Sequence, residues 1–186
     1  MSRVLVVTND FPPRPGGIQT FVHELVRRLD PSRVVVYTSR WRGWARFDAD
    51  QPFRVVRDDT QVLLPTPGVR RRAVDLLERE RCDAVLFGAA APLGLLAPAL
   101  REAGARRIVG LTHGHEAGWA QLPGARQLLR RIGDGLDTVT YLGEYTRRRI
   151  AAALSPAAAA RMVRLTPGVD PRVFHPDPTG RTVIRR

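Results

Sequence analysis

The sequence contains no lysine: all 30 of its basic side chains are arginines, against 18 Asp and Glu, for a formal net charge of +12. Such an excess favours an anionic partner, and net charge alone does not separate nucleic acid, anionic lipid and phosphorylated substrates. Arginine-only usage is also what a GC-rich genome writes, so two readings of it stand. Cysteine is nearly absent. With Cys82 alone, an intrachain disulfide and a Cys-based zinc centre are excluded, and a reducing cytosol fits. Long apolar runs are missing too. The longest uncharged stretch, Ala84 to Leu100, is broken by Gly88, Pro92, Gly94 and Pro98 and reads as a strand, a turn and a helix rather than a membrane span. The start, Met1-Ser-Arg and then Val4 to Val7, is too short for a signal-peptide core. The expectation is a cytoplasmic protein whose membrane contact is peripheral, at the inner face of the plasma membrane. The dinucleotide fingerprint G-x-G-x-x-G does not occur, which argues against an ordinary NAD site. Zinc-finger, RRM and helix-turn-helix patterns are also lacking, so no nucleic-acid partner is expected.

What is present is a globular composition, 44% hydrophobic and 26% charged over 186 residues, enough for one ordinary α/β domain. Short β-branched runs, Arg3 to Thr8, Val34 to Tyr37, Val85 to Phe87, Ile108 to Thr112, Thr138 to Leu142 and Met162 to Leu165, alternate with helical patterns. That alternation predicts parallel βαβ units. The helix from Gly17 to Leu29 is the clearest, since Ile18, Phe21, Val22, Leu25, Val26 and Leu29 make one apolar stripe. Val69, Ala73, Leu76 and Leu77 predict a second helix, and Leu122, Ala125, Leu128, Leu129 and Ile132 a third. Arg40 to Thr60 has little periodicity and reads as a long loop plus a strand near Phe53 to Arg57. The predicted fold is a three-layer α/β/α domain around a mostly parallel sheet. It occupies residues 1–175, with 176–186 as the start of a Pro/Gly-marked linker.

Ligands of such sheets sit beyond the carboxyl ends of the strands, where a loop passes into a helix whose free N–H groups favour an anion. Asp10-Phe-Pro-Pro-Arg-Pro-Gly-Gly-Ile-Gln fills that place after the first strand. Gly16 and Gly17 allow close backbone approach, and the amides of Gly17 and Ile18 face the helix start. A Gly-Gly pair also makes a tight turn with no ligand at all. His113 and His115 end a later strand at the same edge, where a histidine serves equally as a capping or packing residue. His-x-His followed by Glu116 suggests metal ligation too, but zinc needs further ligands, and only His23 and His175 remain.

Three ordered motifs decide among these readings. Asn9-Asp-Phe-Pro-Pro-x-x-Gly-Gly-Ile-Gln19, Thr112-His-Gly-His-Glu116 and Pro167-Gly-Val-Asp-x-x-x-Phe174 resemble glycosyltransferase family 4 in order and spacing. Phe87-Gly-Ala-Ala-Ala-Pro-Leu and Arg130-Arg-Ile-Gly-Asp-Gly bring the chain nearest to the actinobacterial mannosyltransferases that act on phosphatidylinositol monomannoside. The resemblance implies the N-terminal, Rossmann-like half of a GT-B enzyme. Such an enzyme transfers mannose from GDP-mannose, with retention, to a lipid-linked polyol or sugar acceptor. It implies no metal and no cofactor apart from the nucleotide-sugar co-substrate. His115 is placed beside the transferred sugar and Asp10 across the cleft floor, where it orients the acceptor hydroxyl. Substrate contacts are implied for Gly16, Gly17, Ile18, Gln19, His113, Glu116, Tyr145 and Thr146. The family's donor-side pair of glutamates eight positions apart has no counterpart, and its diphosphate-binding lysine cannot occur in a lysine-free chain. The expectation is a chain inactive without a C-terminal, donor-binding domain. Arginines at 70–72, 106–107, 130–131 and 147–149 read either as solvated helix faces or as a basic rim for an anionic membrane. An alternative of another class is a non-catalytic domain that binds anionic lipid or another polyanion.

Overall fold

The β-branched runs become the strands of one sheet in a computed structural model that describes residues 2–120, 122–169 and 171. They are β1 (Val4–Thr8), β2 (Val34–Ser39), β3 (Arg54–Asp58), β4 (Ala84–Phe87), β5 (Arg107–Gly110), β6 (Thr138–Tyr141) and β7 (Met162–Arg164). Their order across the sheet is β3-β2-β1-β4-β5-β6-β7, and each neighbouring pair is parallel. The expectation of a mostly parallel sheet is therefore sharpened to a wholly parallel one among the described residues. Burial explains this: all six residues of β2 are buried, as strands covered on both faces by crossover helices must be. The region expected to be a linker, 176–186, and the motif residues Asp170, Phe174 and His175 lie outside the described residues.

Alternation along the strands sorts side chains into two cores. Leu5, Val7, Val35 and Tyr37 point to one face. They meet α3 (Pro67–Arg79), α4 (Ala97–Glu102) and α6 (Pro123–Gly135) there, through Val69, Ala73, Leu77, Leu100, Leu129 and Ile132 among others. Val6, Val34 and Val36 point to the other face and pack with Val22 and Val26 of α1 (Gly17–Val26), Phe53 and Leu111. At about 1.5–3 kcal/mol per fully buried aliphatic side chain, these two cores are what fix the three layers. The remaining helices are α2 (Trp44–Ala49), α5 (Glu116–Trp119), α7 (Glu144–Ala151) and α8 (Pro156–Ala160). Caps follow the sequence: Thr66 and Ser155 accept from the backbone N–H groups of Val69 and Ala158, each with proline next. α1 stops at Val26 rather than at the expected Leu29, because the last turn tightens as Arg28 and Leu29 donate to Leu25 and Val26.

The expected loop from Arg40 to Thr60 needs correction, since it contains α2. Six residues without an apolar stripe carry no periodic signal, and this helix is held from outside. Gly43 enters it in a left-handed conformation at φ 83°. Phe47 packs edge-on against Phe11, 6.1 Å between ring centres. Asp48 takes two hydrogen bonds from Arg57, at 2.8 and 3.1 Å. The Arg57 side chain is only 2% exposed, and it also donates to the carbonyls of Ser39 (3.0 Å) and Pro12 (2.6 Å). One guanidinium thus joins β3, the end of β2, α2 and the loop after β1.

Removing one partner of such a buried pair leaves the other charge uncompensated, so Arg57→Met should lower unfolding free energy by about 3–5 kcal/mol. Urea denaturation measures it, and a loss below about 1 kcal/mol, the scale of an exposed pair, would show that Arg57 does not carry this junction.

Candidate functional site

Strand order reverses at β1, whose two neighbours are β2 and β4, and the crevice lies beyond the carboxyl ends of β1 and β4. The two chains are closest at Gly88, just past β4. A Cβ there would lie 2.4 Å from Thr8 Oγ1 and 3.3 Å from Val22 Cγ1, so no larger residue fits. Thr8 Oγ1 accepts the backbone N–H of Asp10 at 2.9 Å, which turns the chain out of β1. The Asp10 carboxylate is then fixed from below: Gln19 Nε2 donates to its Oδ1 at 2.8 Å. Among the described residues Oδ2 has no hydrogen-bond partner and is left for a ligand. Gly16 makes room for this arrangement. It adopts φ 149°, and a Cβ on it would lie 2.1 Å from Gln19 Oε1. Gly17 opens α1 without a side-chain cap, and nothing lies within 4 Å of where its Cβ would be, so the helix start is open on that side. Ile18, one residue on, is half-buried and packs into the second core.

The second loop leaves β5. His113 donates from Nε2 to the carbonyl of Gly88 at 2.6 Å, and since a carbonyl only accepts, that nitrogen carries the proton. Its ring stands edge-on to Phe21 of α1, 5.6 Å away, and stacks at 14° against His115, 6.5 Å away. His113 therefore ties the β5 loop to β4 and α1, while the His115 side chain beside it is 43% exposed. Glu116 is wholly buried. Its Oε2 accepts the backbone N–H groups of His113 (3.0 Å) and Gly114 (3.1 Å). Its Oε1 has no hydrogen bond among the described residues and lies 3.4 Å from His115 Nε2. Gly114, at φ 102°, closes this turn.

Thr146 borders the same turn, with its Cγ2 3.4 Å from where a Gly114 Cβ would be. It also caps α7, accepting from the N–H of Gly143 at 3.3 Å and donating to the Gly143 carbonyl at 2.8 Å. Tyr145 is 67% exposed, with the Arg149 guanidinium 4.8 Å above its ring. Glu144 beside it is held down at about 2 by hydrogen bonds from Arg147 and then Arg148.

The structure brings Asp10, Gly16, Gly17, His113 and His115 to one edge. The side chains of Gln19 and Glu116, two of the residues expected to contact substrate, are buried and are hydrogen-bonded to Asp10 and to the His113–Gly114 backbone. The sequence reading missed Thr8, Phe21 and Gly88 as site residues. A glycine directly after a strand, opposite a hydroxyl at the end of its neighbour, was the available signal. Among the described residues no group of three His, Cys, Asp or Glu side chains is arranged to hold a metal ion. His113 Nε2 and Glu116 Oε2 are already spent on the backbone. Beside the glycine loop runs a groove of about 630 Å³, lined by Gly16, Gly17, Thr20, Phe21, Leu25 and the strand-exit segment Leu165 to Val169 among others. The first and last motifs thus share one wall.

The family described as Glycosyltransferase Family 4 matches residues 15–173. The chain is 51% identical, over its full length, to the GDP-mannose-dependent alpha-(1-6)-phosphatidylinositol monomannoside mannosyltransferase of Mycobacterium tuberculosis, and covers 49% of that protein. It is 50% identical, over 98% of its length, to the protein of the same description from Mycolicibacterium smegmatis, covering 48% of it. A Corynebacterium glutamicum enzyme described as acting on the monoacylated form is 39% identical over 99% of the chain, which covers 49% of it. The chain thus spans about half the length of these curated relatives. Among solved structures, Anabaena Alr3699/HepE in complex with UDP and glucose superposes on all of this chain and half of its own, at TM-score 0.71 and 12% identity. That likeness shows the fold, which is Rossmann-like α/β.

Crowding at Gly88 and openness at Gly17 make opposite predictions. Gly88→Val should cost about 1–3 kcal/mol, as overpacking does, while Gly17→Ala, at an exposed helix start, should change stability by less than about 0.5 kcal/mol. Thermal or urea unfolding of both variants checks this, and the reverse ranking would contradict the close approach of β1 and β4.

Proposed function

We propose a function from one premise: the chain belongs to Glycosyltransferase Family 4. It is the acceptor-side half of a mannosyltransferase that takes mannose from GDP-mannose and adds it to a phosphatidylinositol mannoside. The observation that carries this reading is identity at the 50% level, along the whole chain, to enzymes so described. The geometry supports it. The loops after β1 and β5, strands on either side of β4, are both tied to the Thr8–Gly88 contact and present a carboxylate with a free oxygen and an exposed imidazole.

In the proposed reaction the bond from mannose C1 to the GDP β-phosphate oxygen breaks and a bond from C1 to an acceptor oxygen forms. The acceptor hydroxyl gives up its proton to the β-phosphate oxygen of the departing GDP. Asp10 Oδ2 accepts the hydrogen bond of that hydroxyl and aims it, while Gln19 keeps the carboxylate from turning away. His115 meets a hydroxyl of the transferred sugar or the charge that develops around it. The open start of α1 suits a phosphate, which both the donor and the lipid acceptor carry. The chemistry calls for no resident cofactor, since the activated sugar arrives with the nucleotide.

The donor is gripped chiefly by a second domain, for which the greater length of the relatives leaves room. The enzyme works as a peripheral protein on the cytoplasmic side of an anionic membrane, where its acceptor lies. Among the described residues no helix is long and apolar enough to cross a membrane. The arginines of α3 and α7 add long-range attraction to such a surface, reaching about 8 Å at physiological ionic strength.

Two measurements test this. In an enzyme that pairs this chain with a C-terminal donor-binding domain, His115→Ala and Asp10→Ala should each reduce mannosyl transfer by about 10²-fold or more with the fold intact by circular dichroism. Near-normal turnover in both would remove their assignment. The 186-residue chain alone should transfer no mannose from radiolabelled GDP-mannose until that domain is added, and transfer by the chain alone would overturn the half-site reading.

A further inference from the structure

Two loops at the ligand edge of the sheet carry exposed large apolar side chains. The loop after β2 carries Trp41, 39% exposed, and the loop after β3 carries Val62 and Leu64, 50% and 52% exposed. Leu63, between Val62 and Leu64, is fully buried, and Asn9 clamps it by accepting its N–H at 2.6 Å and donating to its carbonyl at 2.9 Å. The loop after β3 is thus anchored by Leu63 while its two neighbours stay exposed. The two loops are joined where Arg40 N–H meets the Thr60 carbonyl at 3.0 Å. A groove of about 450 Å³ runs between them, walled by Trp41, Trp44 and Gln61 among others.

The same rim is cationic. Arg14, from the glycine loop, lies 5.1 Å over the Trp41 ring, and Arg40 lies 5.3 Å over Trp44. Arg42 also lines the groove. Asp59 pairs with Arg40 at 2.6 Å, and among the described residues neither Arg14 nor Arg42 has an acidic partner. The other carboxylate here, Asp58, is turned inward to accept from Tyr37 Oη at 2.6 Å. Three guanidinium groups against two carboxylates leave the rim positive by one charge.

We propose that this rim, the loops after β2 and β3 together with Arg14, is the face that this protein sets into an anionic bilayer. The proposal rests on the reading that its acceptor is lipid-borne, and it names the surface that reading requires. Indole rings, aliphatic tips and arginines on one edge are the composition of a bilayer interface, where apolar side chains enter the acyl boundary and guanidinium groups meet phosphates. A solvated sugar is the poorer occupant. One face of each indole already carries a guanidinium, and Val62 and Leu64 offer a sugar no hydrogen bond. On α3, Arg72 lines a groove with the rim residues Arg40 and Asp59. Arg70 and Arg71 line a separate groove with Val74, Asp75, Ala99 and Glu102, where no exposed large apolar side chain joins them, so these two attract a membrane without entering it. Because Arg14 belongs to the loop that carries Asp10, a protein seated on this rim holds its crevice at headgroup level.

The test keeps Trp41 as the sole tryptophan, by Trp44→Phe and Trp119→Phe. Vesicles of phosphatidylinositol mixed with acyl-brominated phosphatidylcholine then serve as the probe. Trp41 emission should shift to the blue and be quenched by the bromines. Leu64→Asp should weaken vesicle binding about tenfold, while Arg70→Gln with Arg71→Gln, away from the rim, should weaken it mainly through its salt dependence. Vesicle binding with Trp41 unquenched and Leu64→Asp without effect would overturn the rim and leave the lipid-acceptor reading standing. No binding even at low salt would overturn the rim and the membrane-bound part of the proposed function together.

Discussion

A glycine pressed against a threonine, where the sheet reverses its order, governs the placement of the two loops that carry Asp10 and His113. Gly88 leaves no room for a Cβ beside Thr8, so the ends of β1 and β4 come closer than side chains would permit. Both atoms that make this junction are used again. Thr8 Oγ1 takes the Asp10 amide, and the Gly88 carbonyl takes the His113 ring. Two loops separated by about a hundred residues of chain are thereby referenced to one point, which is what a crevice between two strand ends requires.

Around that point, polar groups withdrawn from water do the holding. Gln19 fixes Asp10, Glu116 gathers the amides of His113 and Gly114, and Arg57 draws the Pro12 carbonyl, Ser39 and Asp48 together. Each is buried, and each satisfies hydrogen-bonding groups that would otherwise be stranded in the interior, at about 1–3 kcal/mol apiece. The exposed members of the site, Asp10 Oδ2, the His115 ring and the start of α1, are thus held by a rigid frame rather than by mobile loops. Such a frame suits the proposed transfer, in which the protein contributes mainly by holding an acceptor oxygen and an activated sugar in line.

Much of this was legible in the sequence. The apolar stripe of α1, the β-branched runs and the motifs at the ends of β1 and β5 carried the α/β class and the position of the crevice, because periodicity and strand-end placement are local signals. What escaped was nonlocal. α2 has no stripe and exists through Arg57 and Phe11, which reach it from elsewhere in the chain. Gln19 and Glu116 sit inside motifs, and a motif does not reveal which of its polar side chains turn inward. Gly88 looked like a chain breaker, and only the pairing of β1 with β4 shows what crowds it. The rim of Trp41, Val62 and Leu64 depended on knowing that Leu63 is clamped inward.

The central claim is that this chain presents an acceptor site to which the donor is brought by another domain. An amide-resolved NMR titration of the labelled chain tests it most directly, using the water-soluble mannosyl-inositol phosphate headgroup in one series and GDP-mannose in the other. The account predicts that the headgroup shifts the amides of Gly16 to Ile18 and of His113 to His115 saturably, while GDP-mannose at the same concentration leaves them almost unmoved. Saturable shifts with the nucleotide-sugar and none with the headgroup would contradict it.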